Sequence, residues 1–588
     1  MYTPTCRIST LRDFVVLFVL HRMTANNYSV RFSEICRPGG DVDLSIPIGK
    51  RPKLYRFLEI LPGSLSYGVI ILLGLLLIVN SVWAWIYMRT VILLISVYLG
   101  VTAYCMVKSG LALKRSLAID WADRLASLEN PKESWALLRS SGDSTTDCRQ
   151  HLENLRLMAD DERDRFPRPS EIYNALIVPA YNEDIETIDA ALRAVVGTAY
   201  DKKRLIVVFA YEERGGAAIK ETALRLWRRY HKEFYSFHIV EHPKDAPGEV
   251  IGKGGNITHA GRWLKRYLEH LRISPANVIV TTMDCDNRPH KHYFSCLTYE
   301  YIVHEERERL SYQPVCLFTN NIWDAPAPTR VVAIGNSLYN IFKAAQLRML
   351  RNFSSHAQPM GALLKMDFWS TRTIVEDGHQ YWRSFFYYGG KYRVLPIYTP
   401  IYHDAVLTSN YIRTLRVQFV QLRRWAYGAS DVAYVGYRLF PRKRRNCPFW
   451  TGLLQFAYLL GQQVARAALP IIVPLGGWAL MLCGSETVLR VSERVPAVVN
   501  FLQNITMSGN VLISFFVSYK VLPPRPSYCE RRRTLWMLLQ WMLVPALLIF
   551  YGSLSAYVAQ THLIFGKYLD KFDVTEKTFK GSSCLRVW

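Results

Sequence analysis

The sequence predicts an α/β fold: a doubly wound, Rossmann-like domain combined with an α-helical transmembrane region. In the middle of the chain, short apolar runs alternate with helical patterns at roughly thirty-residue spacing, which is typical of βαβ units. Long apolar segments lie on both sides of that part. The 588 residues are 50% apolar and 20% charged, a balance between those of a soluble protein and a membrane bundle.

The first membrane-spanning helices are predicted at 65–87 and about 90–112, where Trp and Tyr stand near the ends of apolar runs. The earlier apolar run at 14–20 is too short to span a bilayer, and no small-residue cleavage site of a signal peptide follows it. The basic stretch GKRPK at 49–53 indicates a cytoplasmic N-terminal segment under the positive-inside rule. Two spans then return the chain to the cytoplasm.

The formal net charge of +24 has two interpretations, nucleic-acid binding and cytoplasmic loops of a membrane protein. The basic residues stand beside apolar segments, at 49–53, 438–446 and 525–533, and form no single tract with interleaved aromatics. We therefore expect contact with membrane lipids and no nucleic-acid partner.

Four short apolar runs between 171 and 410 predict buried strands of a parallel sheet. Helical patterns at 186–198 and 260–271 stand between them. The predicted strands are 174–180, 204–210, 237–242 and 277–283.

Polar loops follow all four predicted strands, and loops are often polar merely because they are solvated. These loops read YNED (181–184), YEERGG (211–216), HPKDAPGEVIGKGGN (242–256) and DCDNRP (284–289). In a doubly wound sheet, ligands bind beyond the carboxyl ends of the strands. Four loops rich in acids, lysine and glycine at one sheet edge therefore predict a site.

Carboxylates in the motifs DCD (284–286) and VED (375–377) are candidates for metal binding and proton transfer. Asp284 and Asp286 follow a strand two residues apart, and hard carboxylate oxygens suit Mg²⁺ or Mn²⁺ together with phosphate and water ligands. Asp377 in VED (375–377) has two interpretations: an N-terminal helix cap, or a second carboxylate that takes a proton from an acceptor hydroxyl.

The stretch QLRRW places Gln421, Arg424 and Trp425 on one face of a predicted helix, at positions i, i+3 and i+4. An arginine can bind a diphosphate through two parallel hydrogen bonds, and an indole offers an apolar plane for a sugar ring. The same stretch, 413–428, also fits an amphipathic helix at a membrane surface with snorkelling arginines. The two interpretations are compatible.

Taken together, these motifs resemble those of the membrane-embedded, processive glycosyltransferases of family 2, the group of cellulose, chitin and hyaluronan synthases. The resemblance covers about residues 171–430, with the flanking spans and the C-terminal tail. The motifs that carry it are VPAYNE (178–183), GKGGN (252–256), DCD (284–286), PMGALLK (359–365), ED (376–377), QLRRW (421–425) and FDVTEK (572–577).

The resemblance implies a GT-A-type catalytic domain and roles for individual residues. Asp377, beside Glu376, would be the catalytic base, and Asp286 would bind the metal. Trp425 and Gly361 would contact the acceptor sugar. The residues implied at the donor nucleotide and its diphosphate are Glu212, Lys253, Asp284, Gln421 and Arg424, with Phe572, Thr575 and Lys577 of the C-terminal motif inserting over it.

Two departures from the family pattern stand out. The family usually has an aspartate pair after the second strand, where this chain has Glu212 and Glu213. Nothing in the sequence resembles the cyclic-dinucleotide-binding domain of bacterial cellulose synthases, so regulation by such a ligand is not implied.

The implied protein is an integral membrane, inverting glycosyltransferase with a cytoplasmic catalytic domain. It would use a UDP-sugar and Mg²⁺ or Mn²⁺, extend a polysaccharide or oligosaccharide acceptor, and extrude the β-linked product through its own spans. The alternatives are a non-processive enzyme that acts on a lipid-linked acceptor and a catalytically inactive membrane scaffold. The sugar, the linkage and any accessory subunits stay open.

A cytoplasmic C-terminal tail requires an even number of crossings before it. Three apolar segments remain, at 449–483, 497–519 and 535–566, so one of them, 535–566, is predicted to be interfacial or a hairpin. The predicted organisation is 1–60 cytoplasmic segment, 61–113 two spans, 114–170 connecting segment, 171–410 catalytic domain, 411–446 amphipathic interfacial helices, 447–566 transmembrane or interfacial helices and 567–588 gating-loop-like tail.

Overall fold

A computed structural model describes residues 44–569, apart from 48, 141–145, 162–164, 484–507, 510 and 518. The chain divides into two compact units, Met1–Leu44 and Ser45–Trp588. Of the first unit only Leu44 is described, so all the described helices and strands belong to the second unit.

Eight strands of the described chain form one sheet, with the order β3-β2-β1-β4-β7-β6-β8-β5. Each of the four predicted strands is present within a residue or two of its predicted ends. The strands are β1 (Tyr173–Ala180), β2 (Leu205–Glu212), β3 (Ser236–His242), β4 (Val278–Thr282), β5 (Arg288–Pro289), β6 (Leu310–Leu317), β7 (His356–Pro359) and β8 (Arg393–Tyr402).

The sheet is mixed, whereas the sequence pattern predicted a parallel one. Strands β3, β2, β1 and β4 are parallel neighbours, as predicted. The short strand β7 lies antiparallel to both β4 and β6, and β5 lies antiparallel to β8. The prediction was wrong for this second half because β5 and β7 are too short to show a strand pattern in the sequence.

Helices cover both faces of the sheet, because alternate residues of a strand point to opposite faces. Leu176 and Val178 of β1 pack with apolar residues of the helices at Ile185–Val196 and Gly216–Tyr230. Their neighbour Ile177 packs on the other face with the helix at Lys253–His270. The predicted fold class, a doubly wound α/β domain combined with apolar helices, is thereby confirmed.

The helices, in chain order, are α1 (Lys53–Val79), α2 (Ser81–Ala118), α3 (Trp121–Ala126), α4 (Pro131–Ser140), α5 (Thr146–Ala159), α6 (Ile185–Val196), α7 (Gly216–Tyr230), α8 (Lys253–His270), α9 (Tyr293–Val303), α10 (Ala327–Ala344), α11 (Met360–Lys365), α12 (Glu376–Tyr387), α13 (Tyr411–Ala426), α14 (Asp431–Leu439), α15 (Phe449–Cys483), α16 (Arg531–Leu539), α17 (Val544–Leu547) and α18 (Ser555–Ile564).

Four helical stretches of the described chain are long and apolar enough to cross a membrane: Lys53–Val79, Ser81–Ala118, Phe449–Pro474 and Arg531–Ile564. The predicted first span at 65–87 was wrong in its bounds, because a break at Asn80 separates α1 from α2. The Asn80 side chain accepts a hydrogen bond from the Val82 N–H at 2.9 Å and so caps the new helix.

The third apolar segment, predicted at 535–566 to be interfacial or a hairpin, contains no hairpin. The chain runs from Arg531 to Ile564 through consecutive helical stretches, including a π-helical one at Leu548–Leu554. A shorter apolar helix, Val511–Val521, precedes this stretch in the described chain.

Candidate active site

The ends of β1, β2 and β4, the start of α12 and one face of α13 meet at a single cavity of about 2280 Å³. This cavity brings together nearly all the described residues that the sequence singled out. Those lining it are Glu212, Lys253, Asp284, Asp286, Glu376, Asp377, Gln421, Arg424 and Trp425. Phe572, Thr575 and Lys577 lie outside the described residues.

Lys253 connects the acidic motifs at the base of the cavity. Its Nζ lies 2.7 Å from Asp284 Oδ1 and 3.8 Å from Glu376 Oε1. Burial would lower the pKa of Lys253, but the carboxylates of Asp284, Glu376 and Asp377 outweigh that effect and raise it. Burial would likewise raise the pKa of Asp284, yet the ammonium of Lys253 holds it well below its usual range. Lys253 and Asp284 therefore form a charged pair at neutral pH.

Glu376 and Asp377 start helix α12 but lie in different surroundings. Glu376 is buried, and burial raises its pKa to about 7. Asp377 is half-buried and lines the cavity. Its Oδ2 accepts a hydrogen bond from the Ser354 N–H at 2.5 Å, and its Oδ1 accepts one from the Gly378 N–H at 2.7 Å. Two backbone donors thus fix the orientation of the Asp377 carboxylate.

Ser354 joins the two acidic motifs, a role that the sequence did not reveal. Its hydroxyl donates a hydrogen bond to Asp284 Oδ2 at 2.9 Å while its N–H bonds to Asp377. The backbone of Ser354 has φ of 51°, the left-handed region that few side-chain-bearing residues adopt. Residues held in such a conformation cluster at functional sites, where the surrounding structure maintains them.

Asp286 is the carboxylate for which the sequence predicted a metal-binding role. It lines the cavity beside Glu183, whose pKa is raised by burial and further by the charge of Asp286. No three His, Cys, Asp or Glu side chains of the described chain gather closely enough to hold a metal ion by themselves. Mg²⁺ and Mn²⁺ commonly take one or two carboxylates and complete their shell with phosphate and water, so a hard-oxygen donor such as Asp286 fits either ion.

Helix α13 presents three residues of QLRRW to the cavity and also packs on the apolar helices. Gln421, Arg424 and Trp425 line the cavity. The Trp425 ring lies 6.1 Å from the Phe318 ring between centroids. On another side of the helix, Phe419 packs 5.6 Å from Phe550. The helix thus stands between the α/β domain and the apolar helices.

Gly361 lies apart from the other predicted residues. It belongs to α11 and is not among the residues that line the cavity. A Cβ at this position would lie 2.7 Å from Glu308 Oε2, so the glycine accommodates that carboxylate. The PMGALLK motif was expected to precede a helix that contacts the acceptor, whereas Met360–Lys365 is itself helical. Gly361 does not line the cavity, and we propose no acceptor role for it.

Two further residues of the cavity lining had little or no signal in the sequence. His403 follows β8, a strand that the sequence pattern did not predict, and its ring lies 4.8 Å from the Phe318 ring between centroids. Arg214 stands in the loop after β2, where the glutamates drew attention instead. The spacing of residues in the sequence could not identify them, because each reaches the cavity only through the position of its preceding strand in the sheet.

Beyond α13 the cavity continues among the apolar helices. Its wall there includes Tyr87 and Tyr98 of α2, Tyr458 and Gln462 of α15, and Tyr551 of the π-helical stretch. Aromatic and amide side chains can contact the faces and hydroxyls of sugar rings. The described geometry therefore offers a carboxylate-rich chamber that continues between these helices.

No protein-family model matches the chain, and no curated protein matches it. The solved structures with a similar fold include the mannosyltransferase PcManGT from Pyrobaculum calidifontis in complex with GDP-Man and Mn²⁺, at 14% identity and a TM-score of 0.36, covering 79% of this chain and 100% of that one. They also include S. aureus TarS 1-349 in complex with UDP, at 9% identity and a TM-score of 0.31, covering 71% and 100%. Likenesses of this size do not identify a reaction.

Proposed function

We propose that this protein is a membrane-integrated, inverting glycosyltransferase of the GT-A type that extends a β-linked polysaccharide from a UDP-sugar and passes it through its own helices. The observation that carries the proposal is the single cavity that holds Asp286, Asp377 and Arg424 together and continues among the apolar helices. A glycosyltransferase needs these three side chains in one cavity. An enzyme that also extrudes its polymer needs, in addition, a continuation of that cavity among the apolar helices.

The donor occupies the end of the cavity near the strand termini. Glu212 and Asp284 contact the nucleoside, and Gln421 and Arg424 bind the diphosphate, since a guanidinium can form two parallel hydrogen bonds with phosphate oxygens. Lys253 holds Asp284 in place at 2.7 Å. A Mg²⁺ or Mn²⁺ ion held by Asp286 would neutralise charge on the leaving diphosphate.

Asp377 acts as the general base. Its carboxylate removes the proton from an acceptor hydroxyl, and the oxygen attacks the anomeric carbon as the bond to the diphosphate breaks. The nucleoside diphosphate departs with the bonding electrons, and attack from the opposite face inverts the anomeric configuration. Trp425 supplies an apolar plane on which the acceptor sugar stacks, and Glu376 maintains the charge balance around Lys253.

The product leaves by the path among α2, α15 and the 544–552 stretch. This assignment puts the α/β domain on the side where nucleotide sugars are made, the cytoplasm, which agrees with the basic stretches beside the apolar segments. The chain is then an integral membrane protein with a cytoplasmic catalytic domain.

Membranes containing the protein should be incubated with individual radiolabelled UDP-sugars, with Mg²⁺, with Mn²⁺ or with EDTA. We expect one UDP-sugar, or a pair, to give a high-molecular-mass product only when a divalent ion is present. The size of the product distinguishes the alternatives. A short product extractable with lipid would indicate the non-processive enzyme, and no turnover with any UDP-sugar would contradict the proposal.

A further inference from the structure

A buried histidine, His242, lies between two carboxylates at the edge of the proposed donor site. Its Nδ1 lies 3.1 Å from Glu212 Oε2, and its Nε2 lies 3.0 Å from Glu249 Oε2. The His242 side chain is 3% exposed. Because a carboxylate can only accept, both ring nitrogens donate when both bonds are made, and the ring is then an imidazolium.

The bridge is built into the register of the sheet. Glu212 ends β2 and His242 ends β3, and the two are direct partners in the parallel pair. Glu249 comes from the loop before α8, so three separate parts of the chain meet at one ring. Glu212 lines the cavity, whereas His242 and Glu249 stand behind it.

The glycine at 255 leaves room for this arrangement. A Cβ there would lie 2.4 Å from Glu249 Oε2 and 3.2 Å from His242 Cε1, both closer than normal contacts. One glycine of the GKGGN motif is thus explained by the bridge behind the cavity wall, and not by a nucleotide phosphate.

The bridge also fixes the segment that carries Lys253. Glu249 is held by His242, the Val250 N–H donates to the Thr371 carbonyl at 2.8 Å, and Lys253 bonds to Asp284 at 2.7 Å. Loss of the first tether would loosen the segment 249–253 as well as Glu212.

We infer that His242 is a positioning residue of the donor site, which holds Glu212 and the 249–253 segment in the conformation that binds the nucleotide sugar. This inference rests on the proposed function and assigns to that site a residue outside its lining.

The charge on His242 follows from its surroundings. Burial would lower the pKa of His242, but the hydrogen bonds and charges of Glu212 and Glu249 outweigh it and raise the pKa to about 9. The other charged or titratable groups described nearby are Arg214, 4.0 Å from Glu212 Oε2, and His259 on α8, 5.4 Å between ring centroids. The bridge is therefore intact at neutral pH and is lost as the pH rises through about 9.

The test compares His242→Gln and Glu249→Gln with the wild-type protein, with His259→Gln on the neighbouring ring as the control. UDP binding is measured directly by calorimetry, and KM and kcat for the accepted UDP-sugar are measured from pH 6 to pH 10. We expect His242→Gln to weaken UDP binding and raise the donor KM by roughly tenfold or more, the size of one charge-assisted hydrogen bond, with kcat little changed. We expect His259→Gln to leave both near wild type.

The pH profile separates a positioning role from mere structural support. The wild-type donor KM should rise as the pH passes about 9, and His242→Gln should lack that rise. Glu249→Gln removes a charge that stabilises the imidazolium, so its rise should come at lower pH. If His242→Gln does not fold, Glu249→Gln still tests the role of the bridge through its UDP affinity and donor KM.

Several results would overturn the inference. A His242→Gln variant with wild-type UDP affinity and KM but a lowered melting temperature would show a purely structural histidine. If the donor KM rose with pH in the same way in wild type and in His242→Gln, the titration of another group would cause that rise. If wild-type protein binds UDP without transferring sugar, the proposed reaction fails while the binding comparison still decides the role of His242. If it binds no UDP, both fail.

Discussion

At the residue scale, the proposed chemistry depends on Asp377. Its carboxylate lines the cavity and is oriented by two backbone N–H groups, those of Ser354 and Gly378. In an N-terminal helix cap, the other interpretation of this residue, Asp377 would stand at the N-cap, but that position is Val375 and Asp377 lies inside the first turn of α12. The contact with Ser354 reaches across 23 positions of the chain, which a cap does not require.

Asp377→Asn should abolish sugar transfer while UDP binding persists. The amide is nearly isosteric but cannot take up a proton, so we expect kcat to fall by about 10²- to 10⁴-fold, the usual contribution of a general base. Initial rates with the accepted UDP-sugar and UDP titrations measure the two effects. Asp160→Asn, an exposed carboxylate outside the cavity, is the control. An equal loss of binding and transfer would contradict the role of base.

Some site residues could be predicted from the sequence and others could not. Asp284, Asp286 and Asp377 stand in short motifs after strands or before a helix, where their spacing carries the signal. Ser354 stands in a loop with no pattern around it, and only its left-handed backbone brings its two donors to two carboxylates. His242 faces Glu212 because β2 and β3 pair in one register, which no local pattern encodes.

At the scale of elements, the strands that are most completely buried are the ones that the sequence pattern predicts best. Strands β1, β2 and β4 are buried almost throughout, so they read as continuous apolar runs and were predicted nearly to the residue. Strand β7 has four residues, including buried Gln358, and owes its place to its neighbours β4 and β6. The break at Asn80 was missed because the apolar pattern continues across it.

Helix α15 offers a direct test of the proposed path. Gly461 lines the cavity, and a Cβ there would meet no atom within 4 Å. Gly461→Trp should therefore fold, since Trp is a better helix former than Gly, yet obstruct the path. We expect shorter product chains with UDP-sugar hydrolysis retained, measured by gel filtration of labelled product and by UDP release.

The matched control is Gly74→Trp in α1. Gly74 also has open space around its Cβ position but does not line the cavity. Product length should stay at wild type in this variant. Equal shortening in both variants would indicate a general effect on the apolar helices, and unchanged length in Gly461→Trp would exclude this part of the cavity as the path.

At the scale of the whole molecule, the cavity joins two parts that the sequence could describe only separately. The alternation of strands and helices predicted an α/β domain, and the apolar segments predicted spans. That both parts share one cavity depends on how α2, α13 and α15 pack, and these helices are far apart in the chain. Packing between distant elements leaves no periodicity in the sequence, so the shared cavity appears only in three dimensions.

Translocation by sealed vesicles tests this continuity most directly. Purified protein is reconstituted in vesicles, the accepted UDP-sugar and divalent ion are added outside, and labelled product is measured before and after a polysaccharide-degrading enzyme is added outside. We expect long product that survives the enzyme until detergent opens the vesicles, because the chain grows through the membrane as it is made. Product that is fully degraded without detergent would contradict the claim that one cavity serves both transfer and export.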